Sequence, residues 1–161
     1  MVTYCYRVVA VFAVCVVGLL ATMAHAGADA DMSSAVQILP SDLVWNDNPK
    51  LPPGVQTAVV WGDPNQPGLF VFRAKWPPHL KISPHSHPGR EYVTVVSGVW
   101  MTATGDVFDE AKLQALPVGG FYMLPPNVKQ FSATGDDGAI IEVTAMGPWG
   151  VHFDSSHSES K

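Results

Sequence analysis

The chain has 161 residues, 47% hydrophobic, 10% aromatic and only 14% charged, a profile that excludes a disordered polymer and suits one core rather than two. Nine Lys and Arg against fourteen Asp and Glu give a formal net charge of -5, so there is no basic stripe to neutralise phosphates and no nucleic-acid partner is expected. Fourteen Gly and fourteen Pro mean frequent turns, which favours an all-β sandwich or barrel over a helical bundle.

The first segment reads as a leader. Arg7 is followed by an apolar run at 8–21, too short to span a bilayer, and then by Ala24-His25-Ala26, the small-x-small arrangement that fits a signal-peptidase cleft. Residues 1–26 are therefore expected to be a signal peptide, and the protein to be exported, periplasmic or secreted, with no stable membrane anchor. An uncleaved N-terminal anchor helix is the competing reading. Cys5 and Cys15 both lie in this segment, so the mature chain has no disulfide and no thiolate ligand. Loss of Arg7 leaves eight basic against fourteen acidic residues, a net charge of -6.

Residues 27–51, with Asp29, Asp31, Ser33 and Ser34, read as a flexible leader or first-strand region. From there the punctuation is regular. Short apolar or alternating runs at 56–61, 69–76, 91–96, 99–104, 121–124, 129–134 and 139–146 predict strands. Turn chemistry separates them: Asp63 to Gly68, Ser97-Gly98, Pro125-Pro126-Asn127 and Gly135 to Gly138. The one helical turn is expected at 108–116. Seven strands in so few residues imply a single antiparallel sandwich or barrel at 52–154, with a tail at 155–161.

The chemistry concentrates at Pro84-His85-Ser86-His87-Pro88-Gly89-Arg90-Glu91. On a strand, residues two apart share a face, so both imidazoles point one way, and Pro88-Gly89 turns the chain so that Glu91 returns its carboxylate to the same interior. Two imidazoles and one carboxylate suit Fe(II), Mn, Ni, Co or Zn and leave coordination positions open for water or substrate. Paired strand-end histidines on the surface are the plain alternative.

His85, His87, Glu91 and Gly98 resemble the H-x-H-x3-E-x6-G part of the first motif of the cupin superfamily; the motif's opening glycine is absent. The frame of the second motif, G-x5-P-x-G-x2-H-x3-N, falls on Gly119, Pro125, Asn127, Gln130 and Thr134. Asn127 stands where cupins have Gly, a mild change because Asn tolerates a left-handed backbone. Gln130 stands where they usually have the third imidazole. The stretch 69–153, including Gly147-Pro148-Trp149-Gly150, is similar to small exported bacterial cupins. The resemblance implies an all-β, single-domain cupin-type barrel (jelly roll) with a divalent metal ion, Fe(II), Mn, Ni or Zn, held by His85, His87, Glu91 and Gln130.

Three readings of Gln130 stay open: a weak oxygen ligand, an unbound neighbour of a two-histidine, one-carboxylate triad, or the mark of a degenerate site. His152 could replace the missing imidazole, or be an exposed histidine near the C-terminus like His157. His79 is expected in a loop. If Glu91 faces inward, so do Val93 and Val95, and an inward Gln130 brings Ser132 and Thr134 with it as hydroxyl donors to a substrate oxygen. Arg73 and Lys75 are expected in water. Tyr92, Trp100, Phe121, Tyr122 and Met123 are expected in the core or between subunits of a possible homodimer.

Two functional classes follow: an exported metal-dependent enzyme, dioxygenase- or isomerase-like, acting on a small oxygenated organic molecule, or a non-catalytic cupin that binds a small-molecule ligand or a metal. No G-x-S-x-G elbow or phosphate-cradling Gly-rich loop occurs in the sequence.

Overall fold

The computed structural model describes residues 35–153. The leader at 1–26, with both cysteines and His25, lies outside the described residues, as do Asp154 and the tail with His157.

Among the described residues nine strands form one antiparallel sheet: β1 (Asn46–Asp47), β2 (Gln56–Trp61), β3 (Gly68–Trp76), β4 (Lys81–Ser86), β5 (Glu91–Thr104), β6 (Gln114–Leu116), β7 (Phe121–Leu124), β8 (Gln130–Gly147) and β9 (His152–Phe153). The order is β1-β2-β3-β8-β4-β9, with β5 on β8 and itself carrying β6 and β7. The middle of the sheet is set by two long strands. β5 runs beside β8 from Glu91 opposite Ala145 to Thr104 opposite Gln130. One half of β8 pairs with β3 and the other with β4, so the sheet folds over on itself along these two strands.

The fold-over happens at two glycines. Gly98 (φ 70°) and Gly138 (φ 66°) take a backbone that a Cβ disfavours, and the β5–β8 register shifts on either side of Gly98. A Cβ on Gly98 would lie 2.2 Å from the Gly138 carbonyl oxygen, and one on Gly138 2.4 Å from that of Trp76. Ser97-Gly98 and Gly135 to Gly138, expected to end strands, are instead corners inside them: bulge and left-handed glycine bend the ladder without breaking it. Strand β4 escaped the sequence reading because Lys81-Ile82-Ser83-Pro84-His85-Ser86 has no clean alternation. The expected helical turn at 108–116 is a 3-10 turn, Glu110–Lys112, followed by β6.

Alternation fills the interior in layers. Phe70, Ala145 and Glu91 share a register level; then come Phe72, Val143 and Val93, and next Ala74, Ile141 and Val95. All are buried, and each large apolar side chain contributes about 1.5–3 kcal/mol on leaving water. Trp76 and Trp100 lie beyond, near the corners, with rings 6.2 Å apart and edge-to-face. Outside, Arg73 donates to Glu142 at 2.9 Å, and the Lys75 ammonium sits 4.4 Å from the centre of the Trp45 ring, as expected of residues out of phase with the core. Trp100 is buried, Tyr122 half-buried, and Tyr92, Phe121 and Met123 exposed.

Candidate metal and ligand site

His85 lies near the end of β4 opposite Gln130, and the register slips between Ile82 and His85. The slip lets two residues three apart both face inward. His87 follows just beyond the strand. Both rings are buried, 5.1 Å apart and nearly perpendicular. His85 Nδ1 is 2.8 Å from the Ser83 carbonyl oxygen and His87 Nδ1 is 2.8 Å from that of Gly150. A carbonyl only accepts, so each Nδ1 carries the proton and each Nε2 presents a bare lone pair. Burial lowers both pKa values. For His85 the bond to Ser83 works the other way; His87 is brought to about 4 by burial first and then the charge of His85, with the bond to Gly150 opposing.

Glu91 opens β5 and is 2% exposed. Its Oε1 accepts a hydrogen bond from Trp149 Nε1 and lies 3.3 Å from His87 Nδ1. That contact is not an ion pair at mildly acid pH. Burial raises the carboxyl to about 7, against the opposing effect of the Trp149 bond, so between about 4 and 7 both partners favour their neutral forms. Trp149 also stacks on His87, with ring centres 5.2 Å apart, and packs edge-on against Phe72 at 5.1 Å. The segment 149–150 thus orients both His87 and Glu91. No spacing rule ties it to them; its only signal is the closing Gly147-Pro148-Trp149-Gly150 noted in the resemblance.

Gln130 begins β8, and its Nε2 is 3.5 Å from His87 Nε2. Thr102 Oγ1 lies 3.4 Å from Gln130 Oε1 and takes a hydrogen bond from Ser132 Oγ at 3.4 Å. The turn before it uses Asn127 at φ 60°, as expected of Asn in place of Gly, and the Asn127 N–H donates to the His87 carbonyl at 2.8 Å.

His85, His87, Glu91 and Gln130 all line one small cavity, about 40 Å³, whose other walls include Phe72, Trp76, Val93, Trp100, Ile141 and Trp149. Ser132 and Thr134 are buried as expected but are not cavity donors. Thr134 Oγ1 donates to the Pro77 carbonyl at 2.6 Å and accepts from the Leu80 N–H at 3.0 Å, and Ser132 is engaged with Thr102. His152 is exposed on β9 opposite Ser86 and does not line the cavity. His79 is exposed, 3.7 Å from Asp136.

The donor chemistry suits a borderline divalent cation on the histidine side: two neutral imidazoles with free Nε2 atoms and an amide beside one of them. The Gln130 atom 3.5 Å from His87 Nε2 is the amide nitrogen, a donor with no lone pair for an ion, so the amide would have to turn its Oε1, which faces Thr102, toward His87 to join a ligand set. The acid side is different. Glu91 Oε1 is turned to Trp149, and among the described residues no three His, Cys, Asp or Glu side chains converge in metal-holding positions.

No protein-family model matches the chain, and no curated protein matches it in sequence. Solved structures do match. The polyketide cyclase RemF from Streptomyces resistomycificus superimposes with TM-score 0.63 at 14% identity, over 76% of this chain and 89% of that one. The DMSP lyase DddQ from Ruegeria pomeroyi gives 0.58 at 14%, over 74% and 64%. An RmlC-like cupin from Shewanella frigidimarina gives 0.55 at 15%, over 71% and 94%. Identities this low carry architecture and not activity. The chain therefore has the all-β cupin jelly-roll fold, shared with proteins that include enzymes.

Proposed function

We propose that the protein binds a divalent metal ion through Nε2 of His85 and His87, the Glu91 carboxylate and the amide oxygen of Gln130, and acts on a small oxygenated organic molecule in the adjoining apolar cavity. The observation that carries this reading is the pair of bonds from Nδ1 to Ser83 and Gly150, which puts the proton of each ring on Nδ1 and leaves Nε2 as the donor atom, while burial keeps both imidazoles neutral. Bound there, the ion would serve as a Lewis acid toward a carbonyl or enol oxygen. The protein's own groups would do the rest: apolar walls exclude water, and Trp149 holds the Glu91 carboxylate in place through its indole N–H. Fold neighbours that are enzymes support a catalytic role by analogy only. The proposed setting is outside the cytoplasm, on the leader pattern at 1–26; N-terminal sequencing that finds Gly27 first would support it, and an intact Met1 would refute it.

The metal is tested by stripping the protein with chelator and titrating Mn(II), Ni(II) and Zn(II) calorimetrically. One-to-one binding that disappears in His87→Ala, with unchanged far-UV spectra, is expected; no binding, or binding indifferent to His87, refutes it. A second reading, a non-catalytic small-ligand protein, is favoured by the engagement of Glu91 Oε1 with Trp149. In that case His87→Ala alters only ligand affinity.

A further inference from the structure

In an antiparallel sheet that covers a core on one side, the other side faces water and is ordinarily polar. Part of this sheet breaks that rule. On its outer face one row crosses four strands, from Val71 through Thr144 and Tyr92 to Met123. Leu69 and Met146 pair on the same face one step along β3 and β8, and Phe121 stacks on Tyr92 with ring centres 6.4 Å apart. Leu69, Tyr92, Phe121, Met123 and Met146 are each 41–60% exposed. Three of the side chains expected in the core or between subunits, Tyr92, Phe121 and Met123, thus lie together in water.

We propose that this face is the interface of a homodimer, in which the outer sheet of one copy packs on that of a second copy about a two-fold axis. Area supports the size of such a contact. The five exposed side chains present about 500 Å², so two faces would bury about 1,000 Å² of apolar surface; homodimer interfaces are about 65% apolar, which makes the whole contact about 1,500 Å², that of a stable complex. Composition agrees, since aromatic residues and Met are the types enriched at interfaces. Charge argues for a second copy over a foreign partner. The patch side chains are uncharged, and on the next rung Arg73 and Glu142 are bonded to each other at 2.9 Å, so little is left to steer or select a charged protein. Shape argues the same way. Pleated faces stack on one another at about 10 Å, whereas a helix or an extended peptide is held by a groove or a strand edge. An isologous pair needs one self-complementary patch, and a second copy brings another that matches in area and neutrality.

The inference does not rest on the metal or on the cavity. Sedimentation equilibrium of the full chain at about 50 µM should give the mass of two copies and no larger series, because a two-fold contact closes on itself. Tyr92→Lys and Met146→Lys set like charges against each other across the axis and should each weaken association at least 10-fold. Both positions are exposed in the single copy, so far-UV spectra should not change. Val107→Lys is the control: it alters an exposed apolar residue in the loop after β5, at the other end of that strand from Tyr92, and should leave the mass at two copies. A single-copy mass at that concentration overturns the proposal and leaves the face to a different partner. An open-ended series of larger species, a dimer indifferent to both face variants, or one broken equally by Val107→Lys overturns it as well.

Discussion

Replacing Glu91 by Gln in the metal-free protein keeps the shape of the side chain and an oxygen to accept from Trp149, but removes the ionisable group. In the unfolded chain the carboxyl titrates at 4.5; in the fold burial raises it to about 7. The folded state therefore prefers the protonated acid. Its contribution to stability is fully present below 4.5, is lost progressively as pH rises to about 7, and is gone above that. The difference between 4.5 and about 7, at 1.36 kcal/mol per pH unit, is about 3 kcal/mol. Glu91→Gln should thus match the wild type near pH 4.5 and exceed it by up to about 3 kcal/mol at pH 8, on the order of 10 °C in Tm. Urea denaturation of both proteins in chelator at pH 4.5, 6, 7 and 8 measures this. A stability difference that stays constant across that range would refute the assignment of a buried, desolvated carboxyl to Glu91.

Other outcomes follow from single contacts. Trp149→Phe removes the donor to Glu91 Oε1 and should push the carboxyl above about 7, read by 13C NMR of labelled Glu; a fall would show that the bond does not favour the ionised form. His87, lowered from 6.5 to about 4, contributes stability above 6.5 that is lost as pH falls toward 4. Wild type and His87→Gln should therefore differ by a constant amount above pH 6.5 in urea denaturation, and the variant should gain on the wild type as pH falls toward 4. Gln130→His adds an imidazole beside His87 Nε2 and should raise Zn(II) affinity at least 10-fold by calorimetry, and an unchanged affinity would place residue 130 outside any ligand shell. Gly138→Ala meets the Trp76 carbonyl in a left-handed backbone and should cost more than about 1 kcal/mol in a urea melt.

Much of the fold was legible where side-chain alternation alone decides it. Phe70, Phe72, Ala74 and Trp76 alternate with Val71, Arg73 and Lys75, and the buried set is the apolar one. Gathering of His85, His87, Glu91 and Gln130 around one cavity was legible from motif spacing. The rest was hidden for physical reasons. A left-handed glycine means a turn in one context and a strand corner in another, and only the pairing partner distinguishes Gly98 and Gly138 from loop glycines. Thr134 does face inward, but a hydroxyl bonds whichever backbone group is nearest, and Pro77 and Leu80 claim it. The part played by Trp149 depends on a chain crossing 58 residues from Glu91, beyond the reach of any local pattern.

The path of β8 has a consequence for assembly. Its register joins Gln130 to Thr104 but also Gly147 to Gly68, so nearly every rung ties together parts of the chain remote in sequence. Such topologies fold slowly, because loop closure precedes most of the stabilising contacts. The Gly150 carbonyl that accepts from His87 Nδ1 lies just beyond that strand, so a truncation that removes residue 150 would take away a contact that orients the ring.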